Sequence, residues 1–450
     1  MPYSDTGSVN VVLLCTYEMG RQPFGLASPA AWLRGAGHSV TCADLSVEPL
    51  PVADVAGADL VAFYLPMHTA TRLTGPVIGK VRALNPLARL AAYGLYAPMA
   101  EEHLRTLGVT GFFGGEFEPA LLAFANGTSP DSGISLGRLQ FLQPDRSGLP
   151  ILESYPKLRM ADGSARRVGY TEASRGCSHR CRHCPVVPVY DGTFRVVQGD
   201  VVLEDIRRQV NSPGGAEHIS FGDPDFFNGP THARRILEKL HQEFPALSYD
   251  VTIKIEHLLA HRELLPVLRD TGCAFVISAV ESLQDDVLEK LEKGHTRADF
   301  VEAVRLLRAL SLAMSPTFIP FTPWTTREGY ADLLRTLWEL GLAEHLAPVQ
   351  LVLRLLIPAG SRLLELDDVR AVTTGFDAAA LVWRWRHPDA EMDRLAASAL
   401  RLVNAAMKTR APRVQIFRQL WELAQDRPIP EDFGNMPRTV IPFMEEPWFC

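Results

Sequence analysis

The chain has 450 residues, of which 47% are hydrophobic and 22% charged, and its formal net charge is -7. Composition and length are those of a globular protein with roughly two to four domains. The net negative charge does not favour a nucleic-acid partner, and the sequence has no long run of Lys and Arg. No apolar run of about 18 residues predicts a membrane span. Seven cysteines, an odd and sparse number, argue against a disulfide framework, so we expect a cytoplasmic protein.

Residues 10–125 alternate short apolar strands with helices. The run at 11–14 is typical of a strand buried on both faces, and further strands are expected at 40–45, 60–64 and 90–93. The first helix ends at Gly35 and Gly37. Strand–helix alternation with short links predicts a doubly wound, Rossmann-like parallel sheet. We therefore assign residues 1–125 to a first domain.

Residues 126–165 are polar and turn-rich, which predicts a linker. Six strands are then expected, near 168–174, 217–222, 249–255, 274–280, 313–320 and 348–357, with helices between them. One helix is signalled by an N-cap at Thr296 with Asp299 three residues on. These units predict an α/β fold with an open, partial (β/α)6 barrel over residues 166–360. Residues 361–450 are predicted to be a helical extension with a Pro-rich tail.

The segment "ASRGCSHRCRHCP" places Cys177, Cys181 and Cys184 in one loop after the first barrel strand. Iron–sulfur clusters are usually held by four cysteine thiolates, so three leave one iron open to chelate a ligand. This edge of a β/α fold is also where active sites are built. The alternative is a zinc-binding module on these thiols with His179 or His183, although the paired knuckles of structural zinc sites are absent.

The cysteine spacing, its position and the partial barrel resemble the radical S-adenosylmethionine (SAM) superfamily over about residues 165–360. The resemblance implies a 4Fe–4S cluster on the three cysteines, reductive cleavage of SAM to a 5′-deoxyadenosyl radical, and hydrogen abstraction from a small-molecule or peptide substrate. It also implies an electron donor such as flavodoxin or ferredoxin. A methylthiotransferase-like RNA modifier is a further alternative, but the extra cluster cysteines and basic C-terminal domain of that class are missing.

Several residues carry over from the family's SAM site. "SFGDPDFFN" is similar to the segment that touches the SAM amino group, and "VESLQDD" to the fourth-strand segment near the SAM ribose and carboxylate, with Ala279-Val280 in place of the usual Gly-Ile. The SAM contacts implied by these two segments are Gly222, Asp223, Pro224, Asp225, Glu281 and Ser282. The aspartates could instead cap a turn.

Two charged residues of the predicted barrel strands are further candidates. Arg354, on the sixth strand, is placed to pair with the SAM carboxylate, and Glu256, on the third, to contact SAM or substrate. A structural ion pair is the alternative for each. Thr322 and Trp324 are candidates for the substrate pocket, with a core position as the alternative for Trp324.

The first domain resembles the cobalamin-binding domain of the cobalamin-dependent radical SAM branch. "FGLASPAAWLRGAGHSVTCADLS" and "GVTGFFGGEFEPAL" carry this resemblance, which implies cobalamin contacts at Gly114, Gly115 and Glu116 and possible methyl transfer. Of the Asp-x-His-x-x-G signature, Gly20 alone is retained, so no histidine there ligates cobalt. The alternative is a degenerate domain that binds nothing or acts as a lid.

The printed chain ends "FMEEPWFC". This ending resembles a radical SAM family named for a CUAEP or CCAEP tail, in which a cysteine precedes selenocysteine or cysteine. The resemblance implies a catalytic Cys450 and translation through a selenocysteine codon. The alternative is an ordinary terminus with an incidental cysteine.

Overall fold

The computed structural model describes residues 7–128, 133–425, 427–429 and 441–444. Cys450 lies outside the described residues. The N-terminal part contains a sheet in which all neighbours are parallel, in the order β2-β1-β3-β4-β5-β6. Its strands are β1 Asn10–Cys15, β2 Ser39–Asp44, β3 Leu60–Tyr64, β4 Arg89–Tyr93, β5 Gly111–Gly115 and β6 Gly133–Ser135.

Helices cover both faces of this sheet, as the continuous apolar strands require. They are α1 Phe24–Gly35, α2 Val52–Ala56, α3 His68–Leu84, α4 Glu101–Thr106 and α5 Glu118–Ala125. Two separate groups of buried side chains result, one on each face. The doubly wound sheet predicted from the sequence is confirmed, and the sixth strand comes from the segment predicted as a linker.

A second parallel sheet has the order β15-β14-β13-β12-β9 and curves into a partial barrel. Its strands are β9 Val168–Thr171, β12 His218–Phe221, β13 Ser248–Thr252, β14 Cys273–Glu281 and β15 Ala313–Phe318, and two short strands beside it, β10 Ser174–Gly176 and β11 Phe194–Val196, pair with each other. Small antiparallel pairs add β7 Leu158–Arg159, β8 Ala165–Arg166, β16 Thr373–Asp377, β17 Val382–Trp385 and β18 Phe443–Met444.

The sixth barrel strand is reduced to a single parallel bridge between Phe321 and Arg354. Residues Pro348–Leu351, predicted as the start of that strand, form a 3-10 helix instead. Proline lacks the N–H that a strand ladder needs and is accepted at the first turn of a helix, which accounts for this difference.

The helices of the barrel lie between its strands, and the C-terminal helices pack against them. They are α6 Val187–Tyr190, α7 Gly199–Asn211, α8 Pro230–Glu243, α9 Ile255–Ala260, α10 Leu265–Asp270, α11 Asp285–Lys290, α12 Arg297–Ala309, α13 Arg327–Glu339, α14 Asp367–Val372, α15 Ala390–Lys408 and α16 Arg413–Gln425. The predicted helical C-terminal region is confirmed, with the β16–β17 hairpin as an addition. None of the described helices combines the length and apolarity needed to cross a membrane.

Arg175 joins the two parts of the molecule. Its side chain, 7% exposed, donates two hydrogen bonds to Glu118 of α5, at 3.0 and 2.8 Å, and one to Glu172 at 2.7 Å. The guanidinium also lies 4.7 Å from the ring centre of Phe117. A buried charge of this kind is tolerated only when it is paired and hydrogen-bonded. Since Arg175 stands two residues before Cys177, this network fixes the cysteine loop relative to the first sheet.

We expect Arg175→Met to destabilise the protein by about 3–5 kcal/mol, because it leaves buried glutamates without their cation. The matched control is Arg208→Met, which removes an exposed pair with Glu204 and should cost about 0–1 kcal/mol. The midpoints of urea denaturation of the apoproteins measure both effects. Equal midpoints for the two variants would contradict the structural role of Arg175.

Candidate active site

The cysteine loop begins where β10 ends, at the carboxyl-terminal edge of the barrel strands. Gly176, at φ +75°, is required there, since an added Cβ would lie 2.4 Å from both the Thr193 carbonyl oxygen and the Tyr190 ring. The Cys177 N–H donates to the Thr193 carbonyl at 3.1 Å, and the Arg182 N–H to the Leu291 carbonyl at 3.0 Å. The backbone of the loop is therefore held from both ends.

The three thiols lie in a closed space beside a cation. Cys177 and Cys181 are buried, Cys184 is half-buried, and the Lys254 ammonium is 3.9 Å from the Cys181 sulfur. Burial raises the pKa of Cys177, and it raises the pKa of Cys184 to about 12. A bound metal reverses this preference, because coordination deprotonates a thiol outright. The three residues could therefore act as metal ligands only once coordination displaces their protons.

A close group of three ligand side chains lies beside the cysteine loop. Among the described residues it consists of His179, Asp225 and His257, whose ligand atoms lie within 4.8 Å of one another. The three cysteines do not belong to this group.

The two histidines of the loop each contact a glutamate carboxylate. His183 Nε2 is 3.1 Å from the Glu281 carboxylate. His179 Nε2 is 3.2 Å from His257 Nε2, and His179 Nδ1 is 3.5 Å from the Glu256 carboxylate. Each ring thus has a partner other than the cysteines, which weakens the alternative of a Cys3His zinc site.

Glu281 occupies a strained position at the end of β14. Its φ is +72°, uncommon for a residue with a side chain, and the strand register shifts between Ala279 and Glu281. Such a bulge re-aims the side chain, here toward His183 and toward Lys293 at 3.6 Å. Burial acts to raise the pKa of Glu281, but Lys293 and His183 outweigh it and lower the pKa to about 2. Glu281 is therefore ionised at neutral pH, and its negative charge lies next to the cysteine loop.

The segment 222–225 lies directly above the end of β12. Asp223 accepts hydrogen bonds from the Ala173 N–H at 2.9 Å and the Ser174 hydroxyl at 2.5 Å, and burial raises its pKa to about 7. Asp225 accepts from the Phe227 N–H and is 2.7 Å from His257 Nδ1. A Cβ on Gly222 would lie 2.1 Å from the Tyr170 hydroxyl. Pro224 faces a cavity between the first sheet and the barrel.

The remaining barrel candidates have partners within the chain. Glu256 is 3.3 Å from the Lys254 ammonium, and the Ser282 hydroxyl accepts from the Gln284 N–H at 3.0 Å. Arg354 donates to Asp393 at 2.6 Å and to the Trp385 carbonyl at 3.0 Å, with its guanidinium 3.6 Å from the Trp385 ring centre. These contacts favour the structural ion pair over the predicted SAM contact of Arg354.

Thr322 and Trp324 also bond locally. The Thr322 hydroxyl is 2.8 Å from that of Thr325, and the Trp324 indole N–H donates to Asp368 at 2.8 Å. Neither side chain faces the cavities described below. The predicted substrate contacts at these two residues therefore find no support in the geometry.

The glycines expected to contact cobalamin are packed against the protein itself. A Cβ on Gly114 would lie 2.5 Å from the Pro98 ring, and one on Gly115 would lie 2.2 Å from the Ser135 carbonyl oxygen. Glu116 is buried, accepts a hydrogen bond from Tyr190 at 3.1 Å, and has its pKa raised by burial to about 7. Gly20, at φ +71°, closes the turn after β1.

Aromatic rings occupy the crevice at the strand ends of the first sheet. The ring centres of Tyr64 and Tyr93 are 5.5 Å apart, and those of Tyr93 and Phe117 are 4.9 Å apart. The cavity left between the sheet and the barrel has a volume of about 200 Å³, below the roughly 300–1,000 Å³ of pockets for drug-sized ligands. Cobalamin is larger than such ligands, so the residues as arranged here do not fit it.

Sequence reasoning missed the cations of the site. Lys254 and Lys293 face the cysteine loop and Glu281, and His257 contacts Asp225. Lysines on strand ends and loops are common, and their pairing depends on contacts between distant segments. The one available signal was position, since "IKIEH" follows a predicted strand at the active edge of the barrel.

Comparison with known proteins agrees with this geometry. Residues 171–337 match the model of the radical SAM superfamily. Hopanoid C-3 methylase of Methylococcus capsulatus is 26% identical over 153 residues, which are 34% of this chain and 29% of that protein. The chain thus matches less than a third of the length of that relative. Residues 171–337 form a radical SAM domain, a class that uses a 4Fe–4S cluster and SAM.

Two solved structures extend the likeness to the N-terminal sheet. The cobalamin-dependent SAM radical enzyme OxsB with aqua-cobalamin bound superimposes with a TM-score of 0.64 and 11% identity, over 89% of this chain and 68% of that one. The radical SAM methyltransferase TsrM from Kitasatospora setae, with tryptophan and a SAM analogue bound, gives 0.56 and 17%, over 74% of this chain and 71% of that one. The chain has the fold of cobalamin-dependent radical SAM enzymes.

Lys293→Met is expected to change the acid stability of the apoprotein. Glu281 has a pKa of about 2 in the folded chain against an ordinary 4.5, so its stabilising contribution, of order 3 kcal/mol, is present above pH 4.5 and lost as the pH falls toward 2. Without Lys293, burial favours the protonated acid and this loss disappears. The variant should be less stable at pH 7 and lose less stability between pH 5 and 3.

Thermal melting temperatures across that pH range test this prediction. Lys239→Met, at an exposed position of α8, is the control and should retain the pH dependence of the wild type. An unchanged pH dependence in Lys293→Met would show that another group keeps Glu281 ionised.

Proposed function

We propose that this protein is a radical SAM enzyme that holds a 4Fe–4S cluster on Cys177, Cys181 and Cys184. The observation that carries the proposal is the three-thiol loop at the carboxyl-terminal edge of a parallel half-barrel, in a segment that matches the radical SAM model. When bound, the cluster supplies the electron that cleaves SAM into methionine and a 5′-deoxyadenosyl radical, which takes hydrogen from the substrate. The substrate is a small molecule or peptide, the electron donor is a flavodoxin or ferredoxin, and the compartment is the reducing cytoplasm.

The chain's own residues would prepare this site electrostatically. The Lys254 ammonium, 3.9 Å from the Cys181 sulfur, would offset part of the negative charge of three thiolates in a space with little water. Lys293 holds Glu281 ionised, so that a hydrogen-bond acceptor faces the loop. Acceptors of this kind suit the ammonium and ribose hydroxyl groups of SAM.

The segment 222–225 would receive the polar end of SAM. Asp223 is held in place by two donors of the chain and has a pKa near neutrality, and Gly222 and Pro224 border the cavities on either side. Glu281 and Ser282 would lie across from this segment, at the end of the fourth strand in the sheet order. Positioning of SAM, rather than acid–base chemistry, is the role we assign to these residues.

Cys181→Ala should abolish cluster formation and the production of 5′-deoxyadenosine, because two remaining cysteines cannot hold the cluster. Iron and acid-labile sulfide are measured after anaerobic reconstitution, and 5′-deoxyadenosine after reduction with dithionite in the presence of SAM. Cys273→Ala, a half-buried cysteine away from the loop, should behave as the wild type. Full iron and sulfide content in Cys181→Ala would refute the cluster assignment.

Cobalamin-dependent methyl transfer is the second candidate function. The likeness to the folds of OxsB and TsrM favours it, whereas the small volume of the cleft, which Tyr64 and Phe117 line, opposes it. Since the residues do not fit the cofactor as arranged, we assign the first domain the role of a lid on the barrel.

We expect protein co-expressed with cobalamin uptake to purify with iron–sulfur absorbance and without stoichiometric corrinoid. The absorption spectrum of the anaerobically purified protein measures both chromophores. Corrinoid bands at one equivalent would mean that the cleft opens, and would make methyl transfer the leading function.

A further inference from the structure

The interior of the barrel contains a second cavity, with a volume of about 320 Å³. We propose that this cavity is the substrate site and that it binds a carboxylate attached to an aromatic or similar apolar body. The inference rests on the proposed radical SAM function and adds the chemical class of the substrate. It is carried by two arginines, Arg413 and Arg21, that line the cavity and, within the described residues, form no salt bridge; Glu344 and Glu18 are nearby carboxylates that lie beyond salt-bridge distance.

Arg413 is the first residue of α16 and reaches the cavity from the C-terminal region. Its guanidinium donates a single hydrogen bond, from Nη1 to the Glu344 carbonyl at 3.1 Å, and lies 4.5 Å from the Phe443 ring centre. Within the described part of the chain, no carboxylate oxygen comes within salt-bridge distance of it. Burial lowers the pKa of Arg413, and the attraction of the Glu344 carboxylate offsets only part of this effect.

Arg21 reaches the same cavity from the loop after β1. It is 8% exposed, its Nη1 donates to the Met19 carbonyl at 3.2 Å, and its buried Nε has no hydrogen-bond partner among the residues that the structure describes. A buried donor left unpaired costs about 1–3 kcal/mol, and such groups in native proteins call for an explanation. A ligand oxygen in the cavity would supply the missing acceptor.

The carboxylates that line the cavity do not neutralise these arginines. Asp250 is bound by His218 Nε2 at 2.8 Å and by the Ser220 hydroxyl at 2.5 Å. Asp223 is bound by donors of the segment 173–174. Both acids have hydrogen-bond donors of their own, so the two guanidinium groups remain as permanent positive charges in a lining whose other polar residues include Thr252, Ser315 and Gln350. Guanidinium matches a carboxylate in shape and charge.

The rest of the wall is largely apolar. Phe221, Phe275 and Phe443 line it, and Phe443 belongs to β18, which pairs with β7 near the start of β9. The volume lies at the lower end of the range for small-ligand pockets. A single aromatic ring with a short acidic side chain has a suitable size and character.

The cavity also lies where the chemistry requires it. Gly222 and Asp223, which we assign to SAM binding, form part of its wall. A substrate bound in this cavity would therefore lie against the segment beside the cysteine loop. Hydrogen abstraction needs this proximity of the reacting carbon.

Calorimetric titration with 3-phenylpropionate and with its neutral amide, 3-phenylpropionamide, tests the assignment. We expect the reconstituted wild type to bind the acid about tenfold or more tightly than the amide, from hydrogen bonds to a charged group. Arg413→Met should lose most of this preference, and Arg413→Lys should retain part of it. Arg418→Met, an exposed residue of the same helix, should keep the full preference.

Equal affinities for acid and amide in the wild type, or an unchanged preference in Arg413→Met, would overturn the proposal. Iron content and circular dichroism check that each variant is folded, and Arg21→Met gives a second, independent variant. Failure of the proposed function is distinguishable, since it would appear as missing cluster or missing 5′-deoxyadenosine, neither of which depends on the acid preference.

Discussion

The buried pairing of Arg175 with Glu118 is the constraint on which the active site depends. Arg175 belongs to β10 and Glu118 to α5 of the first sheet, and only Gly176 separates Arg175 from the first cysteine. A buried ion pair contributes little net stability compared with apolar packing, but it penalises any arrangement that separates its charges. The position of the cysteine loop is therefore set by the N-terminal sheet as much as by the barrel that carries it.

Features specified by neighbouring residues could be predicted from the sequence. The capping box of Thr296 and Asp299 forms as expected, because both hydrogen bonds are made within one turn. The parallel strands were recognisable from their apolar runs, because a strand that is buried on both faces consists mostly of apolar residues. The form of the sixth barrel strand could not be predicted, because the apolar residues at its expected start are equally compatible with the 3-10 helix that begins at Pro348.

The candidate site was predictable in position and not in its contacts. Gly114 and Gly115 were expected to let a large ligand approach the backbone, but a glycine does not specify what approaches, and here Pro98 and Ser135 do so. Arg354 was expected to face a ligand and instead contacts Asp393 and Trp385, residues more than 30 positions away. Long-range partners of charged side chains depend on the packing of the whole domain, which a local pattern does not contain.

Tyr170 separates the two cavities and so decides which one serves the chemistry. Its ring, together with Met19 and Gly222, borders both the cleft under the first sheet and the cavity inside the barrel. Because Gly222 has no side chain, the Tyr170 hydroxyl can occupy the space next to it. The same hydroxyl lies 3.5 Å from the buried Glu18 carboxylate. The cleft is the smaller of the two cavities, at about 200 Å³ against about 320 Å³. The barrel cavity is lined by Arg21 and Arg413 and also by Gly222 and Asp223, so the two arginines share a cavity with the proposed SAM segment.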